Sequence, residues 1–398
     1  MILTFKKILR FLWPFAIGII IGIVAIWFYI NKFNVQTSFL SPLGLDPQVS
    51  ATKIPSQKPV IGFLPYWNLK TAQIPYYLLD YIAYFSITLD YDGSIQTFTD
   101  QGVDVGWYKL ESSELAQIFD EAHKQDVKTM LVFTCFNNEN IDTIITNPDS
   151  KKAAIENIVS TAQKYQINAV NIDFEYNTAY DILENSSTKY AQFLKELREQ
   201  LPNTELSIDL YANAFIKTTP YNIADLAPQV DQLVLMGYDF HQASSPKAGP
   251  VAPIKNPEGK SISEALQGVL DKQVDTNKVI LAMPFYGYEW QTTSDEYRSP
   301  TYPGSGAMAS YKRVQELIAD EGLETQWDPQ TLSPWLTYED DGITKQIYFE
   351  NDQSIALKLQ LVDQMNLAGA AIWALGYEGE DASVWQVVES WRISNQRN

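Results

Sequence analysis

Cysteine is almost absent from this chain of 398 residues, which contains Cys135 alone. An intrachain disulfide is therefore excluded, as is a thiolate-rich metal site. A single Cys at the end of an apolar run reads as a small buried hydrophobe. Histidine is nearly as scarce, and His123 and His241 fall in no metal-ligand spacing such as HExxH, so neither a metal nor a cofactor is expected. Positive charge is also in short supply, since 29 Lys and Arg stand against 48 Asp and Glu for a net charge of -19. Residues 1–50 hold Lys6, Lys7, Arg10 and Lys32 against Asp46 alone, a net +3, which leaves the rest of the chain at -22. A body this acidic argues against nucleic acid or an anionic lipid surface as the main partner, because phosphate binding needs clustered Lys and Arg. A neutral or cationic ligand suits it better.

What is present is apolar and aromatic: 45% of residues are hydrophobic and 19% charged, the balance of a globular body and not of a disordered one. From Phe11 to Ile30 the run FLWPFAIGIIIGIVAIWFYI holds 20 residues without a charge. That length crosses about 30 Å of hydrocarbon as a helix. It exceeds the apolar core of a signal peptide, about 7–15 residues, and no small-residue cleavage site follows clearly. Lys6, Lys7 and Arg10 precede the run and only Lys32 closely follows, so the positive-inside rule predicts a single-pass protein with a cytoplasmic N-terminus and an extracytoplasmic body. Residues 1–31 are thus expected to form the N-terminus and transmembrane anchor. Residues 32–58, with Pro42, Pro47 and Pro55 among polar residues, are expected to be an extended linker.

Over 59–398, short β-rich runs alternate with helical patterns, the signature of repeated βα units. Candidate strands are Val60–Tyr66, Tyr81–Leu89, Val127–Thr134, Ala169–Glu175, Glu205–Tyr211, Gln232–Tyr238, Lys278–Pro284 and Gly369–Ala374. Eight parallel units predict an α/β fold closed as a (β/α)8 TIM barrel. The competing fold is an open doubly wound sheet, which normally carries a Gly-rich phosphate turn after its first strand; VIGFLPYWN has a single glycine. The interval between the seventh and eighth strands is too long for one crossover helix. A small α+β insertion is expected at about 288–346, followed by a helix near Ser354–Met365.

In a barrel the active site lies at the C-terminal ends of the strands. The fourth candidate strand ends NAVNIDFE, and period-2 alternation directs Asn171, Asp173 and Glu175 to one face and Val170, Ile172 and Phe174 to the other. Carboxylates facing a barrel interior are costly unless paired and used. The plain alternative is a surface strand whose acids face water.

NAVNIDFE resembles the fourth-strand pattern DGxDxDxE of the family-18 glycoside hydrolases, which include chitinases and cell-wall N-acetylglucosaminidases. Asp173 and Glu175 match; Asn168, Ala169 and Asn171 replace the first Asp, the Gly and the second Asp. NIDFE is closer to the form found in the peptidoglycan-directed branch. VLMGYDFH resembles the sixth-strand MxYD motif through Met236, Tyr238 and Asp239, ILAMPFYGYEW resembles the PFYG turn, and GAAIWALGYE resembles the last strand, with Trp373 at the sugar platform. The third-strand SxGG motif is missing, since LVFTCFNN stands there.

The resemblance implies retaining, substrate-assisted hydrolysis of β-1,4-linked N-acetylglucosamine glycosides in peptidoglycan or chitin. Glu175 is then the general acid/base, Asp173 the group that orients the acetamido N–H and stabilises the oxazolinium, and Tyr238 the holder of the acetamido oxygen. Asp239 would contact the sugar, Trp373 would lie beneath it, and Asn171 and Met236 would help bind it. Tyr66, Trp67, Tyr211, Tyr286 and Trp290 are candidates for flanking subsites. The alternatives are a lectin-like barrel that binds saccharide without cleaving it, and a membrane-anchored scaffold.

Overall fold

Alternation along each strand sorts the apolar residues into two separate cores. In the computed structural model, described for residues 53–54, 57–176, 183, 185–218, 220–379 and 383–396, the strands are β1 (Val60–Pro65), β2 (Tyr81–Thr88), β3 (Lys128–Cys135), β4 (Ala169–Phe174), β5 (Glu205–Tyr211), β6 (Gln232–Met236), β7 (Val279–Pro284) and, after an insertion, β13 (Gly369–Trp373). They close in the order β1-β2-β3-β4-β5-β6-β7-β13 and back to β1, all parallel. The open sheet is thereby excluded. Ile61, Phe63, Ala83, Met130, Val132, Ala169, Val234, Ile280, Ala282 and Ala371 form an inner cluster that plugs the barrel. Their sequence neighbours, such as Val60, Leu131, Val170, Ile172, Leu233 and Leu281, face outward into the layer between strands and helices. The plug is apolar toward one end, and the polar residues Asn171, Asp173, Ser207 and Asp209 sit above it.

The helices carry ordinary start signals. Asn147 accepts hydrogen bonds from the Asp149 and Ser150 amides ahead of Pro148–Lys164, with Pro148 at the first position, where its missing N–H costs nothing. Asn351 and Ser354 form a reciprocal capping box at Asp352–Gln364. The last helix, Ser383–Asn395, buries Arg392, whose guanidinium donates to Asp80 at 2.6 Å and to the carbonyls of Leu78 (3.0 Å) and Ile54 (2.6 Å). This ties the end of the barrel to its beginning.

Between β7 and β13 lies a five-stranded antiparallel sheet: β8 (Tyr286–Gln291), β9 (Ala307–Ser310), β10 (Gln326–Asp328), β11 (Ser333–Asp340) and β12 (Ile343–Tyr348), ordered β9-β8-β12-β11-β10, with helix Tyr311–Glu321 packed on it. It begins one residue after β7, so its first strand stands directly over the barrel mouth. Gly287 lets β8 approach β12 closely, because a Cβ there would lie 2.0 Å from the Tyr348 carbonyl oxygen.

The expected membrane helix at residues 11–30 and most of the expected linker lie outside the described residues. Among the described residues no helix is long and apolar enough to cross a membrane. The described end of the linker is part of the body: the Ile54 amide donates to Tyr77 at 3.1 Å and Lys58 Nζ to the Leu367 carbonyl at 2.5 Å.

Candidate active site

The mouth of the barrel opens into a cavity of about 1030 Å3. Its lining brings together Asp173, Glu175, Tyr211, Met236, Tyr238, Asp239, Tyr286 and Trp373, eight of the ten site residues expected from sequence. The two others, Asn171 and Tyr66, do not line it. Asn171 is fully buried below the cavity, where its Nδ2 donates to Ser207 Oγ at 3.0 Å and Asp209 Oδ1 at 2.8 Å, so it supports the site and does not line it. Tyr66 is half-buried outside the cavity in a short 3-10 turn, edge-on to Trp67 at 4.8 Å. Of the weaker candidates, Trp290 is completely buried in the insertion, its indole N–H shared between the Gln242 and Ala243 carbonyls at 3.2 Å, and cannot meet a ligand. Trp67 is 47% exposed at the rim, its ring edge-on to Trp373 at 6.4 Å.

Glu175 stands one residue past the end of β4, held by its amide donating to the Cys135 carbonyl at 3.0 Å. Tyr221 braces the same turn: its hydroxyl donates to the Phe174 carbonyl and accepts the Tyr176 N–H at 3.2 Å. The Glu175 carboxyl is hydrogen-bonded to Tyr211 and to Asp173. Burial raises Glu175 above the usual carboxylate range, opposed by those two hydrogen bonds and aided by the negative charge of Asp239. Burial likewise lifts Asp173 well above it, reinforced by the charges of Glu175 and Asp209. Two carboxyls hydrogen-bonded in so little water hold one proton between them rather than ionise together. Among the described residues, Asp173 Oδ1 has no hydrogen-bond partner.

Tyr238 and Asp239 follow β6 through Gly237, where a Cβ would meet the Ala282 carbonyl at 2.9 Å and Leu281 at 2.8 Å. Asp239 takes a left-handed backbone conformation (φ 60°), and its Oδ1 accepts hydrogen bonds from Tyr286 and, at 3.1 Å, from Tyr288, both on β8. The insertion thus fixes the sixth-strand turn. Trp373 ends β13 with its ring edge-on to Phe85 at 4.6 Å and tilted against Phe63 at 5.9 Å. Its remaining surface faces the cavity.

Sequence reasoning missed Asp209, Phe85, Phe136 and the cations at the far side. Phe136 follows β3 where SxGG was sought, is 52% exposed and stacks on Phe85 at 6.5 Å. The segment after β6 contributes Lys247 and Lys260, and the insertion contributes Arg298. Asp209 lines the cavity beside the β4 acids, and the alternation of Ser207, Asp209 and Tyr211 in ELSIDLY marks its face without showing which β4 residue it meets. No cluster of His, Cys, Asp and Glu suited to a metal occurs among the described residues.

Against this geometry, the profile of the glycosyl hydrolases family 18 matches residues 59–378. The cortical fragment-lytic enzyme of Bacillus anthracis is 26% identical over 314 residues, 75% of this chain and 65% of that enzyme. The chain therefore spans just under two thirds of that relative. A class V chitinase of Arabidopsis thaliana is 23% identical over 267 residues, covering 63% of this chain and 68% of the chitinase. Among solved structures, a group IV chitinase of Ostrinia furnacalis in complex with allosamidin superimposes with a TM-score of 0.74 at 19% identity, covering 85% of this chain and 99% of that one.

Proposed function

The chain belongs to glycosyl hydrolase family 18, and from that premise we propose that it hydrolyses β-1,4-linked N-acetylglucosamine glycosides by a retaining, substrate-assisted route. The observation that carries this reading is Glu175 at the cavity wall, hydrogen-bonded to Asp173 and biased by burial toward its acid form. A protonated Glu175 gives its proton to the glycosidic oxygen as the C1–O bond breaks, and the substrate's acetamido oxygen closes on C1. Asp173, with Oδ1 unengaged, accepts the acetamido N–H and balances the oxazolinium charge. Glu175, now ionised, then takes a proton from the water that opens the ring, and the anomeric configuration is retained. Tyr238 points the acetamido oxygen at C1, Asp239 meets the sugar beside it, and Trp373 supplies an apolar floor for the C–H face.

Peptidoglycan is the favoured substrate over chitin. Lys247 and Lys260 line the cavity beside Arg298, which is paired with Glu258 at 3.0 Å. The acidity of the whole body pointed to a neutral or cationic ligand, but these cations at the cavity itself suit a glycan bearing carboxylates. The similarity to a cortical fragment-lytic enzyme supports the same choice. Membrane anchoring through residues 11–30, with the barrel outside, also belongs to the proposal. It rests on the uncharged run and its flanking charges, and resistance of the full chain to alkaline extraction from membranes tests it.

The deciding experiment incubates the full chain with purified peptidoglycan and with chitin oligomers and identifies products by mass. Glu175→Gln is expected to bind but to turn over at least about 10²-fold more slowly. A lectin-like barrel would bind and release both polymers unchanged. Cleavage of substrates lacking the acetamido group would refute substrate assistance.

A further inference from the structure

Asn171 stands where the resembled pattern has an acid, and its amide points across to β5. The β4–β5 register pairs Asn171 with Ser207 and Ile172 with Ile208, so the next inward residues, Asp173 and Asp209, stand opposite each other. Asn171 Nδ2 fixes Asp209 Oδ1 at 2.8 Å, and any proton on Asp209 therefore sits on Oδ2. Asp209 is 5% exposed and borders the same cavity as Asp173 and Glu175. Among the described residues, the titratable groups acting on or facing it are Asp173 on β4, Glu175 just past it, Tyr238 beyond β6 and Tyr190 from the helix Ser186–Gln200, with no Lys, Arg or His among them. Among the described residues, the Asp173, Glu175 and Asp209 carboxyls thus act on one another with no cation among the groups that shift them, the lysines and Arg298 of the cavity lining not being among those groups.

We propose that Asp209 is a positioning residue of this site, a third carboxyl supplied by β5 that keeps Glu175 in its acid form as the surroundings lose protons. The inference rests on the reading of Glu175 as general acid. Like charges that share a site raise each other's proton affinity. While Asp209 is protonated, the Asp173–Glu175 pair carries one negative charge and one proton. Burial lifts Asp209 to about 8, against the opposing hydrogen bond from Asn171 and with help from the Glu175 charge, so it loses its own proton only in mildly alkaline solution. Its new charge then faces the pair from the adjacent strand. Side chains directly opposite on neighbouring strands are roughly 5 Å apart at Cβ. At an effective dielectric of about 20, repulsion over such distances is worth about one to two pH units of proton affinity. Asp173 and Glu175 therefore hold their shared proton to higher pH than the pair could alone.

The test is the pH dependence of kcat/KM on peptidoglycan and chitin oligomers for the parent, for Asp209→Asn, and for the double variant Asn171→Asp/Asp209→Asn, which moves the carboxyl back to β4. Asp209→Asn keeps an oxygen to accept from Asn171 and is expected to shift the alkaline limb down by about one pH unit. The double variant is expected to restore it. An unmoved limb, or a loss equal at every pH, as a merely structural defect would give, overturns the inference while leaving the glycosidase reading intact. Absence of turnover by the parent on both polymers overturns the two together. Infrared difference spectra of parent minus Asp209→Asn give a readout without turnover: a protonated-carboxyl band present in the parent at pH 7, missing from the variant and fading from the difference as the pH passes about 8 is expected, and no such difference at pH 7 also overturns the inference.

Discussion

Replacing Asp209 by Asn should stabilise the protein, and by an amount that depends on pH. Asp209 has an ordinary value of 3.8 and is raised to about 8 in the fold, mainly by burial. The folded state therefore binds its proton more tightly than the unfolded state, and between those two values folding stability falls as pH rises. Each pH unit in that window costs about 1.4 kcal/mol, so at pH 7 the burial of this carboxyl costs on the order of 4 kcal/mol. Below pH 4 the group is protonated in both states and costs nothing through this route; above about 8 the penalty levels off. Asn is nearly isosteric, cannot ionise, and still accepts from Asn171. Urea unfolding of Asp209→Asn and parent at pH 4, 6 and 8 should give coincident curves at the lowest pH. The difference in unfolding free energy should then grow in favour of the variant, reaching a few kcal/mol at pH 8. Equal differences at all three pH values, or a variant less stable at pH 8, would refute the reasoning. Stability gained where alkaline activity is lost is what a functional carboxyl would leave behind.

Three further perturbations follow from the packing. Lys358 and Glu350 form an ion pair at 2.6 Å with both side chains completely buried, so Lys358→Met strands a carboxylate and should cost about 3–5 kcal/mol in denaturant unfolding, whereas replacing both by apolar residues should recover most of it. Gly237→Ala pushes a methyl against the Ala282 carbonyl between β6 and β7 and should lower kcat through displacement of Tyr238; unchanged kcat would remove that turn from the site's geometry. Trp373→Ala removes the cavity's aromatic floor and should raise KM for oligomers about ten-fold or more if the ring supplies uniform binding, while a variant with the parent's KM would reassign Trp373 to the core.

Much of the barrel was legible because its strands obey a period of two. Each of the eight candidate runs overlaps an observed strand, and the deviations fall at their ends: Tyr66, Leu89, Glu175, Tyr238 and Ala374 lie one or two residues past the last strand residue, and Val127 and Lys278 one before the first. That is also where a barrel places chemistry, since a side chain just beyond the ladder faces the mouth rather than the plug. The Asp173–Glu175 pair was legible for the same reason, being two residues apart on one strand. Asp209 was not, although its own strand alternates cleanly. Its meaning depends on which residue of β4 it faces, and a slip of one residue would turn it outward. Register is fixed by the packing of the inner and outer cores together, which no single strand encodes. Asn171 shows the same dependence: within its strand it is a polar group on the inner face, and across the register it is the amide that holds Asp209. Pairs within a strand can be read along the chain, while pairs between strands belong to the closed barrel, and the acid balance of this site is of the second kind.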